Sequence, residues 1–345
     1  MHYLGYEQLQ GVQNHMVVDT YGVSPLCVLE LSHWPGNRTP NAFRRDTSTE
    51  SVVAWVEAGG HDSELSIQAV SNDHYDLDGL LAIWAAMNPD ALDAHRDALV
   101  GVATTEDFDR FVSEQDLRIT LELLAAEQLV TAASAGRDTD TNAFTARLYN
   151  ALLPEVQRCL SGRFQLEAEW AGEFREVMRS LELLEGGLGG CVDEYPDVDL
   201  AVVVSDRPFH PFAVHTITQR TRLLTLVQGQ RPTIYYRYES FVDYVSRSMP
   251  PRVPLKPLAA RLNRSERCGV WVGEGMLAAH PRVQLFAPDG SVAISSFEAD
   301  SLIRTVVDYF REAAIDPSTH WRPGDGLRAG PELDLLPTSI DLCAR

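Results

Sequence analysis

The stretch from Leu65 to Met87, LSIQAVSNDHYDLDGLLAIWAAM, constrains the fold more than any other part of this chain. A strand-like run, LSIQAV, leads through an acidic, turn-rich loop into GLLAIWAAM, which is apolar on nearly every side. A helix without a polar face must be buried all round. A strand feeding such a helix belongs to a parallel sheet covered by helices. Asn88-Pro89 stops the helix, because the residue before a proline disfavours the helical conformation.

The neighbouring pattern extends this reading. His15 to Asp19, Leu26 to Leu31 and Leu99 to Ala103 (LVGVA) have strand character, while Phe43 to Glu57 has helical spacing. From Ser113 to Glu185 the chain is helical almost throughout, over Asp116 to Ala132, Thr141 to Leu160 and Gln165 to Leu184. EGGLGG then closes the run as a helix C-cap and hinge. Further on, Val198 to Val204 reads as a strand and Leu223 to Tyr236 as a hairpin. Cys268 to Val272, Val283 to Phe286 and Val292 to Ser295 read as strands, and Asp300 to Ala314 as a closing helix. The expected class is α/β, with a parallel-sheet N-terminal lobe, a helical connecting segment and a smaller α+β C-terminal lobe. The lobes are expected to span residues 1–188 and 189–345 and to close a cleft.

Composition narrows the functions. The 29 basic residues face 49 acidic ones, giving a net charge of −20 and a pI near 4.8. Such a surface repels long nucleic acids and anionic membranes, and no basic stripe compensates. Lys256 is the single lysine, which is the mark of a coding bias and not of a fold. The five cysteines are scattered and never form CxxC, so a reducing cytoplasm is expected, with neither a zinc ribbon nor a disulfide framework. MHYLGYEQLQGVQNHMVVD lacks the basic start and apolar core of a signal peptide.

The loop SNDHYDLDG gathers Asp73, His74, Asp76 and Asp78 between strand and helix, where parallel sheets place their ligands. Alternate carboxylates on such a turn suit a hard divalent cation, and an imidazole shifts the preference from Mg²⁺ towards Mn²⁺. The competing reading is local, with Asp78 as helix N-cap and Asn72, Asp73 and Asp76 as turn residues. Three carboxylates and an imidazole exceed what a turn needs. The metal ligands expected are His74, Asp76 and Asp78, with Asp107 after LVGVA, although Glu106 and Asp107 read more readily as the acidic first turn of a helix.

HYDLDGLLA resembles the first motif of the DHH phosphoesterase superfamily, in which a strand leads into Asp-Tyr-Asp-X-Asp-Gly. The resemblance implies that Asp76 and Asp78 hold catalytic Mn²⁺ and that His74 stands where the first acid lies. The chain contains no Asp-His-His triplet; the nearest stand-in is SDRPFHPFAVH, with Asp206, His210 and His215. Taken together, LSHWPGNRTP, SNDHYDLDG and YRYESFVDYVSR also resemble a family of uncharacterised bacterial proteins.

The remaining candidates follow other apolar runs. His33 in LSHWPGNRTP offers a catalytic imidazole, with Arg38 and Thr39 close behind to bind an anion. The competing and favoured reading is a structural loop with Trp34 packed on Pro35. Asp206 and His210 are expected to supply acid/base chemistry and His215 a substrate contact. Arg237 and Glu239 read as a buried ion pair, or as a clamp in which Arg237 binds substrate. VWVGEGMLAAHP is a turn, since Pro281 cuts the helix that NAD binding needs. His33, the 73–78 loop and Glu106/Asp107 should converge at one sheet edge, faced by Asp206, His210 and His215 from the second lobe or its border.

These residues imply a metal-dependent hydrolase of a small phosphoester or related anion, using Mn²⁺ or Mg²⁺. Metal-assisted C–N hydrolysis and a non-catalytic metal- or nucleotide-binding module are the alternatives. The partner expected is a small molecule, with no long nucleic acid and no membrane; a homodimer is compatible.

Overall fold

The computed structural model describes residues 1–62, 65–134, 140–227 and 232–328. They form two compact units. The first takes in Met1–Cys191, Ser205–Gln219 and Tyr244–Ser248; the second takes in Val192–Val204, Arg220–Asp243 and the described residues from Met249 onward.

The first unit is built on four short strands, β1 (His2–Tyr3), β2 (His15–Val18), β3 (Cys27–Leu31) and β4 (Ala69–Ser71). They lie in the order β1-β4-β2-β3, and every neighbouring pair is parallel. All their C-terminal ends therefore open on one edge, where connecting loops converge. Helices α1 (Ser48–Glu57), α2 (Leu77–Met87), α3 (Leu92–Phe108), α4 (Glu114–Ser134), α5 (Thr141–Leu160) and α6 (Glu167–Glu185) follow. As its composition demands, α2 is buried from Leu77 to Ala86, packed against α1, α3 and α5. Its Leu80, Leu81 and Ile83 join Met16, Val18, Leu31 and Val70 in one core.

Two local expectations change. LVGVA is no strand but the middle of α3, with Leu99, Val102 and Ala103 buried at helical spacing. A five-residue apolar run fits either state, and here the flanking helix absorbs it. Val292–Ser295 forms no strand either; Val292 makes a single bridge to Phe286.

The second sheet runs β5 (Gly190–Tyr195), β6 (Leu200–Ser205), β7 (Arg222–Val227), β8 (Thr233–Tyr236), β10 (Arg282–Phe286) and β9 (Val270–Gly273). β7 and β8 pair antiparallel, as do β8 with β10 and β10 with β9. Helices α8 (Lys256–Leu262) and α9 (Ala299–Ala313) contribute Leu258, Leu262, Val306 and Phe310 to the core of the second unit, whereas α7 (Pro211–Ile217) belongs to the first. The mixed α/β class, with a parallel N-terminal sheet, a helical middle and a mixed C-terminal sheet, is as the pattern implies. Among the described residues no helix is long and apolar enough to cross a membrane.

Candidate metal centre

The open edge of the parallel sheet carries the site. Asp19 directly follows β2 and has a left-handed backbone (φ 53°). Ser48 Oγ donates to Asp19 Oδ1 at 2.8 Å, and Asn72 Nδ2 lies 3.5 Å from Oδ2. The same two oxygens meet two imidazoles, with His33 Nε2 3.4 Å from Oδ1 and His74 Nε2 3.0 Å from Oδ2.

His33 comes two residues after β3. Its Nδ1 lies 2.6 Å from the Asp46 carbonyl oxygen, an acceptor, so this nitrogen carries a proton. Nε2 is thereby aimed at Asp19, at Asp107 Oδ2 (3.6 Å) and at Asp78 Oδ2 (3.8 Å). A neutral imidazole would point a lone pair at three carboxylates. Only a proton or a cation makes that arrangement favourable, and a backbone carbonyl behind the ring is the usual brace of a metal-bound histidine.

The acidic loop divides its work. Asp76, and not Asp78, caps α2, its Oδ1 accepting from Gly79 N at 2.7 Å. Its Oδ2 stays 2.9 Å from His74 Nε2, and Asp73 Oδ1 holds His74 Nδ1 at 2.9 Å. Asp78 caps a different helix: Ser48 N and Thr49 N at the start of α1 each donate to one of its oxygens at 2.7 Å. One amide per oxygen leaves each with a second lone pair. Asp107 lies near the C-terminal end of α3, and its buried Oδ2 accepts no hydrogen bond among the described residues.

Two ligand groups result, Asp19/His33/Asp78 and Asp19/His74/Asp76, each with its donor atoms within 4.8 Å of one another. Asp19 belongs to both and sends one oxygen towards each imidazole.

The electrostatics follow from burial and crowding. Burial alone would lift Asp19, but hydrogen bonds and charge from His33 and His74 hold it below the ordinary carboxylate value. Burial, then the Asp19 charge, raises Asp78 to about 6. Asp107 rises well above normal through burial and then the Asp78 and Glu106 charges. Burial works against protonation of His33, yet Asp19 and Asp78 raise it to about 9. His74 is likewise raised despite burial, chiefly by Asp76. Asp19, Asp76, Asp78 and Asp107 crowd like charge around the two imidazoles, while Asp73 stays exposed, and a divalent cation would relieve that crowding.

Gly79 leaves the clearance this packing needs. A Cβ there would run into Asn72 Nδ2 and sit 2.6 Å from the buried Tyr149 hydroxyl. Gly79→Ala is expected to lower stability by about 1–3 kcal/mol, read from the urea midpoint, and to weaken metal uptake by displacing Asn72.

The structure thus joins His33, His74, Asp76, Asp78 and Asp107, the last from a helix and not from a strand end. The other candidates are engaged elsewhere. Asp206 is exposed and paired with Arg207 at 3.0 Å. His210 caps α7, accepting from Phe212 N at 3.2 Å, with Glu173 3.4 Å away. His215 is buried behind the end of α3, 3.2 Å from the Phe108 carbonyl. These three fall within the first unit, although they were expected from the second lobe or its border. Arg38 braces the 22–39 loop, donating to Glu30 at 3.1 Å and to the Gly22 carbonyl. Arg237, in the second unit, is fully buried and pairs with Glu239 at 2.6 Å, the ion-pair alternative.

Sequence reasoning missed Asp19 as a candidate ligand and counted it only as the end of a strand. The signal was present: a carboxylate directly after the buried run HMVV sits at a strand terminus, as His33 does.

The fold is α/β, with a parallel sheet whose C-terminal edge gathers carboxylates and imidazoles that could hold a metal ion. Residues 1–321 match the model of a family of unknown function, DUF6687, and the chain belongs to that family. No curated protein and no solved structure matches it.

Proposed function

We propose that this protein is a metal-dependent hydrolase of a small phosphoester or related anion, with Mn²⁺ held by Asp19, His33 and Asp78 and by Asp19, His74 and Asp76. The observation that carries the reading is Asp19, a buried carboxylate shared by two histidine–aspartate groups. Mixed oxygen and imidazole donors favour Mn²⁺ over Mg²⁺. The likeness of HYDLDG to the DHH phosphoesterase motif supports the same ligands, although membership of that superfamily does not follow from it. When bound, a divalent cation there supplies Lewis acidity and an acidified water at neutral pH.

The chain's own residues do the rest. The Asp46 carbonyl and the Asp73 carboxylate fix the two imidazole rings. The α1 amides orient Asp78. Asp107, whose hold on a proton is strengthened by burial and then by the Asp78 and Glu106 charges, sits at the edge of the group, beside His33.

Titrating the purified protein with Mn²⁺ tests this. A concentration 100 times the Kd is expected to stabilise the fold by about 2.7 kcal/mol, seen as a higher Tm. A panel of small phosphomonoesters and phosphodiesters should then be hydrolysed only in the metal-loaded protein, and Asp76→Asn with Asp78→Asn should abolish both effects. If Mn²⁺ neither binds nor shifts the Tm, the reading is wrong. Binding without turnover of any phosphoester would leave a metal-binding module or a C–N hydrolase.

A further inference from the structure

The short segment Tyr244–Ser248 clusters with the first unit, and one residue ties it to the candidate centre. Asp46 holds His33 Nδ1 through its carbonyl, while its side-chain Oδ1 accepts the amides of Val245 and Ser246, each at 2.8 Å. The segment is therefore pinned a single residue away from a candidate ligand. Aromatic packing makes a second connection. The Tyr244 ring meets Phe108 edge-on at 5.2 Å, and Phe108, next to Asp107, lies 6.4 Å from the His33 ring.

Two guanidinium groups flank Tyr244. Arg110 Nη2 is 3.5 Å from the phenol oxygen, and Arg247 lies over the ring, 5.6 Å from its centroid. Both arginines are half-buried, and among the described residues neither forms an ion pair with a carboxylate. Acidic residues outnumber basic ones by 49 to 29 in the whole chain, and Tyr244 connects these two side chains through Phe108 to the His33 ring. A cation–π contact uses the face of a guanidinium and leaves its edge donors available for a forked interaction with an oxyanion.

We propose that Arg110 and Arg247 are the anion clamp of the metal centre, gripping the non-reacting oxygens of a phosphate-type substrate. The assignment rests on the metal-dependent reading above and names the groups that would select for charge. Planar guanidinium groups suit phosphate oxygens because two parallel N–H donors match two acceptors. A metal centre by itself does not distinguish a phosphate from a neutral ester; two arginines on the aromatic contacts that lead to His33 would.

Calorimetry on the Mn²⁺-loaded full chain, with inorganic phosphate as the probe, tests the clamp. Arg110→Ala with Arg247→Ala should weaken phosphate binding at least tenfold and leave Mn²⁺ affinity within twofold of the parent. Arg247→Lys should recover part of the loss, since a lysine restores charge without the fork. Should the alanine pair fail to fold, Arg110→Gln with Arg247→Gln replaces it. Unchanged phosphate affinity in the double variant overturns the clamp and leaves the arginines as packing on Tyr244. Parent protein that takes up Mn²⁺ but no phosphate overturns it as well. Absence of Mn²⁺ binding in the parent brings down the hydrolase reading first, and the clamp with it.

Discussion

Asp19→Asn is expected to abolish metal uptake at both ligand groups at once, whereas a change at His33 or His74 removes one group and spares the other. Asparagine keeps the size of the side chain and can still accept from Ser48 Oγ, so the local packing survives. The negative charge that faces both imidazoles is lost. Changes one layer further from a metal already cost 10–100-fold in affinity, so removing the shared carboxylate should cost at least about 100-fold. Calorimetric titration with Mn²⁺ reads this directly, and circular dichroism checks the fold. If Asp19→Asn binds Mn²⁺ like the parent, Asp19 does not hold metal. If it loses only one of two binding events, the carboxylate is not shared.

Mn²⁺ affinity should also climb steeply with pH, because the cation must displace protons. In the metal-free protein His33 titrates near 9, against an ordinary 6.5, and His74 is raised as well. Between those limits each histidine that releases its proton on binding steepens the affinity by about tenfold per pH unit. Across pH 6.5 to 8.5 the apparent affinity should therefore rise by about 100-fold for one imidazole and more if both release. Calorimetry in buffers of different ionisation enthalpy counts the protons. A flat profile with no proton release would show that the cation does not use these nitrogens.

The same shifts set the stability of the metal-free chain. A raised histidine adds stability that is complete below 6.5 and lost as pH passes about 9. The raised Asp78, titrating near 6 against an ordinary 3.8, makes stability fall as pH climbs between those values. Both trends run the same way, so metal-free protein weakens from about pH 4 to 9. Saturating Mn²⁺ should instead make stability rise with pH up to about 6.5 and stay level above it. Urea midpoints at several pH values, with and without Mn²⁺, measure it.

Much of this architecture is written in local pattern. An all-apolar helix after a strand can be buried only against a helix-covered parallel sheet, and α2 with β4 is that unit. Acidic residues in a strand-to-helix loop face the ligand edge because right-handed crossovers put parallel strand ends on one side. His33, His74, Asp76 and Asp78 were legible for that reason. LVGVA was not, since five apolar residues carry no period that separates helix from strand. The role of Asp78 was also hidden. The helix it caps is α1, 30 residues earlier in the chain, and no short-range rule connects the two.

The sequence alone determined the parallel sheet, the buried helix and the loop that supplies carboxylates, because side-chain periodicity and turn chemistry act over a few residues. Tertiary structure decided that Asp19 is the centre of the group, that Asp107 arrives from a helix, and that Asp46, hydrogen-bonded to His33, also holds Val245, which lies 199 residues beyond Asp46. Those arrangements depend on where distant segments meet. Hydrophobic burial, which is non-directional, drives the segments together, while the hydrogen bonds that fix their geometry form only after they are packed.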